Sequence, residues 1–352
     1  SQPGLRVRYR SNDFEETRPL AEFLFHVNPR LPLVLNSTAT YEGSVTGAVT
    51  NLETLETNGR LSAGAFSYRG WMWEGFDASI TSSASNLQIG SGQLRSGRSS
   101  FQFSGSAGLT NWILTSRSPV WTEARASRTP LKGLKDAFGL RYPVAGLLTG
   151  TLQLKGSLSN LSGAGNVLVN DGELGGETFD RLAAKLKIAG SVWSAQNLLL
   201  KKGSGRATGW FQVDLPRRSF SGALDGTDLS LANFKRLQMR EGLPAPDHLQ
   251  GTAAFHLSGQ GTFSEPKARA TLDVRHLALG RSNLGRLQAR YSLSKFELAG
   301  QGQLRGPQGN LQFSSKARLQ GEWPAHLTGS FTAFRLDPWV RSFAPVPLQT
   351  TV

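Results

Sequence analysis

Apolar and polar residues alternate one for one in segment after segment of this chain, and the segments recur in a fixed order. That double regularity limits the fold more than any single motif. Within Leu147–Leu237, Leu152, Leu154 and Leu158 fall on one side of an extended chain, and Gln153, Lys155 and Ser157 on the other. Leu182, Ala184, Leu186 and Ile188 repeat the pattern, as do Phe211, Val213 and Leu215. Period-two alternation broken by Gly, Asn, Asp and Ser marks antiparallel strands buried on one face. The stretch closes on a short apolar segment at helical spacing (Leu231, Phe234, Leu237) before proline ends it.

The same order returns downstream from His248 and upstream from Thr38. Leu109, Leu215 and Leu319 close equivalent strands, in steps of 106 and 104 residues. Length alone would suggest two or three domains for 352 residues. The repetition predicts instead one stack in which each unit leans on the next. The expected organisation is the end of a preceding repeat at 1–16, three β repeats at 17–128, 129–228 and 229–336, and the start of another linker at 337–352. In residues 1–16, Leu5, Val7 and Tyr9 share one face of a strand.

Each repeat is led by a predicted short helix. In residues 17–32, Thr17 is a cap, and Leu20, Phe23, Leu24 and Val27 form one helical face. At Thr129–Pro143, Thr129 caps, Pro130 takes the first helical position, and Leu131, Leu134 and Phe138 are apolar. Ser230–Pro246 and Asp337–Pro347 follow the same plan. In the first repeat, Trp71 and Trp73 fall on one face of a strand. They read either as a local core anchor or as an aromatic patch for a lipid or partner chain.

The charge balance is basic, 39 Lys and Arg against 25 Asp and Glu, formally +14. Two readings fit: a solvated β surface with cations guarding strand edges, or an anionic partner such as phospholipid headgroups or lipopolysaccharide. Nucleic acid fits poorly, because there is no tight basic block, recognition helix or aromatic RNA-binding strand. The chain has no cysteine, which excludes disulfide scaffolds, Cys-metal sites and Cys nucleophiles, and suits an oxidising bacterial envelope. No apolar run approaches the ~20 residues that span a bilayer, and no signal peptide is visible. The chain begins at Ser1 and stops inside a linker pattern, so it is expected to be part of a longer protein, with any anchor outside it.

Catalytic patterns are missing. His26, His248, His256, His276 and His326 are scattered, with no metal-ligand spacing. Gly203-Ser-Gly205-Arg-Ala-Thr-Gly209 resembles a phosphate loop, but a strand follows it, so it offers no helix N-terminus and reads as a hairpin turn. Asn36-Ser-Thr38 and Asn160-Leu-Ser162 match glycosylation sequons of the kind that arise by chance. No enzyme activity, cofactor or metal is expected.

The order of motifs carries a resemblance. A helical linker ending in Pro precedes LTGTLQLKGSL, then GNVLVNDGEL, FDRLAAKLKI and LLLKKGSGRATGWFQVDL. This pattern resembles the AsmA-like superfamily of bacterial envelope proteins, which includes TamB. The likeness is clearest over Leu147–Leu215, good over Leu249–Leu319 and weaker over Ser37–Leu109. It implies an all-β fold with short linker helices: a repetitive, elongated, twisted antiparallel sheet rolled into a taco-like hydrophobic groove. It also implies a periplasmic, inner-membrane-anchored protein reaching toward the outer membrane, with phospholipid or another acyl lipid as partner. For some members an outer-membrane barrel protein is a partner too.

On that reading the groove is lined by Phe101, Phe103, Leu152, Leu154, Leu182, Leu186, Ile188, Phe211, Val213, Phe255, Leu257, Leu272, Val274, Leu287, Tyr291, Leu311 and Phe313. For each, the alternative is ordinary core packing. Two other functions stay open: a scaffold or chaperone for outer-membrane protein assembly, and a closed structural stalk with a dry core.

Overall fold

In the computed structural model of the chain, residues 4–13, 15–16, 33–48, 50–138, 143–235, 249–280, 282–307, 309–319 and 325–332 are described. They are overwhelmingly antiparallel β, as the alternation requires. The chain forms two compact units. The first is Ser1–Asn170 with Lys185–Ser191, and the second is Asp171–Ala184 with Val192–Val352. β12 (Asn160–Leu174) and β13 (Glu177–Ala189) contribute residues to each.

The first unit is an open meander. β1 (Leu5–Ser11) pairs with β3 (Ala39–Thr46), which pairs with β4 (Glu56–Ala63) and onward to β7 (Gly75–Ser83). β8 (Asn86–Ser96), β9 (Ser99–Gly108), β10 (Pro119–Pro130) and β11 (Val144–Ser157) continue it, each antiparallel to the last. A three-stranded sheet sits within this unit: β2 (Leu33–Leu35), β5 (Phe66–Tyr68) and β6 (Trp71–Trp73). Phe66 and Trp73 are buried in it, and the Trp71 and Trp73 rings lie 4.1 Å apart. Helix α1 (Leu131–Phe138) brings Gly133 against the Trp71 indole, where any Cβ would collide. The tryptophan pair is therefore a packing anchor.

The second unit repeats the plan with β14 (Val192–Lys202), β15 (Gly205–Asp214), β16 (Ser219–Ser230), β17 (Leu249–Thr262) and β18 (Pro266–Leu279). β19 (Ser282–Ser294), β20 (Glu297–Gly306), β21 (Gly309–Arg318) and β22 (Ala325–Thr332) complete it. Each strand pairs antiparallel with the next. The Gly203–Ser204 link is a hairpin turn between β14 and β15, as expected. Leu109, Leu215 and Leu319 directly follow β9, β15 and β21.

The strands bend at matching places. Register shifts fall between Ala126 and Thr129, Ala195 and Leu198, Gly226 and Leu229, and Val274 and Leu277. At each, one residue takes the left-handed conformation: Arg128, Asn197, Asp228 and His276. An extra residue of this kind bulges and bends the strand, and Asn, Asp and His tolerate that backbone better than most side chains.

The linker helices differ from expectation in detail. Those predicted in 17–32 and 337–347 lie outside the described residues. Thr129 and Pro130 belong to β10 because its ladder with β11 resumes after the bulge, pairing Thr129 with Leu148 and Pro130 with Leu147. The helix therefore starts at Leu131. Thr129 is fully buried and donates to the Ser127 carbonyl (3.4 Å), so it is not a helix cap. After β16 only one 3₁₀ turn, Leu231–Asn233, is described, and Ser230 makes no side-chain capping bond to it.

Candidate functional site

Cross-strand registers decide which residues share a face. In the second unit Phe255, Leu272, Ala289, Gly302 and Phe313 follow one another across β17 to β21 in one transverse row, flanked by Gly226 and Gly329. Two residues along the strands runs Leu224–Leu257–Ala270–Tyr291–Gly300. On the other side runs Ala253–Val274–Leu287–Leu304–Leu311. Toward the hairpin turns come Phe211–Gly222–Gly259–Ala268–Leu293–Leu298, and then Trp193–Val213–Phe220–Gly261. These five rows carry no charged side chain. The alternate rows, on the opposite face, hold Asp225, His256, Arg290 and Gln301, and Asp273, Gln288, Gln303 and Gln312.

All ten second-unit candidates on β15 to β21 therefore lie on one face: Phe211, Val213, Phe255, Leu257, Leu272, Val274, Leu287, Tyr291, Leu311 and Phe313. The first unit builds the same kind of face. Phe103, Ala124 and Leu152 form one row with Gly92, Ala78, Leu61 and Tyr41. Phe101 lies in the next row with Leu94, Phe76 and Ala126, and Leu154 in the row of Thr122 and Gly105. Phe103 stands 5.9 Å from Phe101 and 6.3 Å from Phe76, ring to ring. Leu186 is half-buried and Ile188 buried in the first-unit part of β13, and Leu182 is half-buried in its second-unit part.

Sequence reasoning missed three features of this face. The first is a cross-strand glycine under each of several rings. Phe313 fills the space a Cβ on Gly302 would need, Tyr291 does so for Gly300, Phe255 for Gly226 and Phe103 for Gly92. The rings are thereby folded down along the sheet, and the apolar surface is low.

The second is unequal cover along the strands. At one end Leu229, Leu231, Ala253, Val274, Leu277, Leu284 and Leu304 form a buried core, with Phe234 packed on it. At the other end Phe211 is 43% exposed and Trp193 51%, although both belong to the same apolar face. There the Phe220 ring stacks 6.3 Å from Phe211 and 5.9 Å from Phe263. The third is a buried cation. Lys202 donates to a Glu177 carboxylate oxygen (3.1 Å) and to the Thr178 carbonyl, beneath the Phe234 ring. The same Glu177 oxygen accepts the Lys235 amide (3.2 Å). This cluster ties the start of the linker to the β14–β15 hairpin.

Apart from Lys202, which the register places at the covered end of the apolar face, the ion pairs of the strands lie on the other face. Arg60 donates to Asp77 (2.7 Å), and the Arg286 Nε donates to Asp273 (2.8 Å). The Arg286 hydrogen bond holds the Asp273 carboxyl below its ordinary pKa, against partial burial, which pushes it up. A cavity of about 1110 Å³ crosses β16 to β22. It is lined by the Phe255–Phe313 row and by the polar rows on either side of it, including Asp225, Arg290, Gln288 and Gln303. Leu257, Tyr291, Leu287 and Leu304, in the neighbouring apolar rows, do not line it, so of the apolar strip it takes in only the Phe255–Phe313 row. Among the described residues no helix is long and apolar enough to cross a membrane.

No family model matches the chain, and neither a curated protein nor a solved structure matches it.

Proposed function

We propose that this chain is a lipid-carrying module of the bacterial envelope, of the AsmA-like kind, that holds phospholipid acyl chains against the uncharged face of its sheet. The observation that carries the reading is the open end of that face. Five consecutive rows lack any charge, yet Phe211 and Trp193 stay about half exposed. Exposed contiguous apolar surface of this sort marks a binding surface.

The chemistry follows from the geometry. Each methylene removed from water contributes about 0.8 kcal/mol. Strands about 4.8 Å apart offer a near-identical contact at every step across the sheet. An acyl chain lying along the rows can exchange one contact for the next over small barriers, while its headgroup stays in water. The folded-down rings of Phe255, Tyr291 and Phe313 leave no tall obstacle in that path. A periplasmic setting, with membrane attachment supplied by other parts of a longer protein, belongs to the same proposal.

Native mass spectrometry of the purified chain, with lipid extraction from the same sample, tests it. Co-purifying phospholipid whose stoichiometry falls in the Phe211→Asp variant is the expected result. A stable chain free of lipid, which also takes up none from added micelles, overturns it.

A further inference from the structure

The hairpin turns of the second unit are not alike at the two ends of its strands. Turns β15–β16, β17–β18 and β19–β20 lie at one end, because successive strands are antiparallel. They present Leu215, 56% exposed, and Phe263, 48% exposed, beside the half-buried Phe296. At the opposite end the β14–β15 turn is Gly203–Ser204 and the β18–β19 turn begins at Gly280. The apolar end is also the open end of the uncharged face, since Phe263 stacks on Phe220.

Exposed bases surround these apolar tips. Arg217, Arg218, Lys267, Lys295 and Arg318 stand there against Asp214, Glu265 and Glu297, and Asp214 is already engaged by Arg217 (3.7 Å). The Arg217 side chain is 84% exposed. Apolar residues in the same turns as exposed cations suit the boundary between acyl chains and anionic headgroups, where aromatic rings and Lys or Arg both gain. A dry interface with a second protein would be depleted of lysine and acidic residues at its centre, whereas Lys267, Lys295, Glu265 and Glu297 stand among these tips.

We infer that this hairpin end of the second unit is a docking edge for an anionic lipid surface, with Leu215 and Phe263 inserting and Arg217, Arg218 and Lys267 meeting phosphate. The inference rests on reading the apolar face as a lipid path: that path crosses the strands, so the hairpin edge would set its open flank against the bilayer from which lipid enters.

The chain has no cysteine, so Leu215→Cys and, at the opposite end, Ser204→Cys each allow one site-specific environment-sensitive label. Both positions are exposed turn residues, so folding is not at stake. Vesicles of phosphatidylcholine alone are compared with an equimolar mixture with phosphatidylglycerol. The expected result is a several-fold fluorescence rise at position 215 with the anionic vesicles only, reversed by high salt, and no rise at 204. The Leu215→Asp/Phe263→Asp double variant should lose co-sedimentation. An equal response at both positions, silence at both, or wild-type co-sedimentation by the double variant overturns the edge. So does a salt-insensitive dimer that buries position 215 without vesicles. If extraction still finds lipid on the chain while the label at 215 stays silent, the docking edge falls and the lipid path stands. A chain that docks but carries no lipid leaves the reverse.

Discussion

Phe211→Asp separates a lipid-bearing strip from a protein core. Full burial of a phenylalanine contributes about 1.5–3 kcal/mol. With the residue 43% exposed, only a little over half of that, ~0.9–1.7 kcal/mol, is lost on substitution. The new carboxylate stays hydrated, because the site opens to water. An acyl chain crossing the position would lose about three or four methylene contacts at ~0.8 kcal/mol each, near 3 kcal/mol in all. A deficit of that size lowers occupancy about a hundredfold. Val274→Asp is the contrast: Val274 is 2% exposed, and an unpaired carboxylate there should unfold the chain. Urea unfolding followed by circular dichroism reads stability, and mass spectrometry of extracted lipid reads occupancy. The reasoning fails if Phe211→Asp folds with its lipid unchanged. It fails equally if Phe211→Asp costs more than about 4 kcal/mol, since a loss that large belongs to a packed core.

Gly302→Ala should destabilise by about 1–3 kcal/mol because the Phe313 ring must rise, whereas Gly259→Ala, with its nearest neighbour at 3.4 Å, should change stability by no more than ~0.5 kcal/mol; urea midpoints decide. Lys202→Met removes the Lys202 hydrogen bond and charge from the Glu177 carboxylate and should cost about 2 kcal/mol, with faster hydrogen exchange at the Lys235 amide as the local sign; unchanged exchange there refutes the tie. The Asp273 pKa is lowered by folding, so its contribution is present above the unfolded carboxylate pKa and is lost as pH falls through the folded value. Acid titration of stability should therefore show a component below about pH 4 that Arg286→Gln removes.

Much of the candidate face was legible because side-chain parity along a strand is covalent. Once the ladders run in register, Leu152 and Phe103, or Leu272 and Phe313, must share a side. The bends were written more faintly. In β16 the apolar phase moves from Phe220 and Leu224 to Leu229, and in β18 from Leu272 and Val274 to Leu277. That one-residue slip is the trace of Asp228 and His276 in the left-handed region. The cap at Thr129 was misplaced because a helix-start rule is local, and the β10–β11 ladder extends through Thr129 and overrides it. Exposure was not legible at all. Phe211 and Val274 sit in equivalent alternations, and only the packing around Leu231 and Phe234 makes one end core and the other surface.

That difference along one face bears on how such a module works. A surface that binds and releases acyl chains has to remain folded when empty, so its apolar residues cannot also be what holds the sheet together. In the second unit the burden falls on the strand ladders and on the Leu229–Val274–Leu304 core at the covered end. The rows at Phe211 and Trp193 are therefore free to stay half exposed. Occupancy then adds stability only through binding, growing with the logarithm of free lipid over its dissociation constant. Stripping lipid should lower the unfolding midpoint modestly, without changing the denaturant slope expected of an intact sheet. A slope that collapses on delipidation would mean that lipid completes the core, and the strip would then be a structural lipid site and not a path.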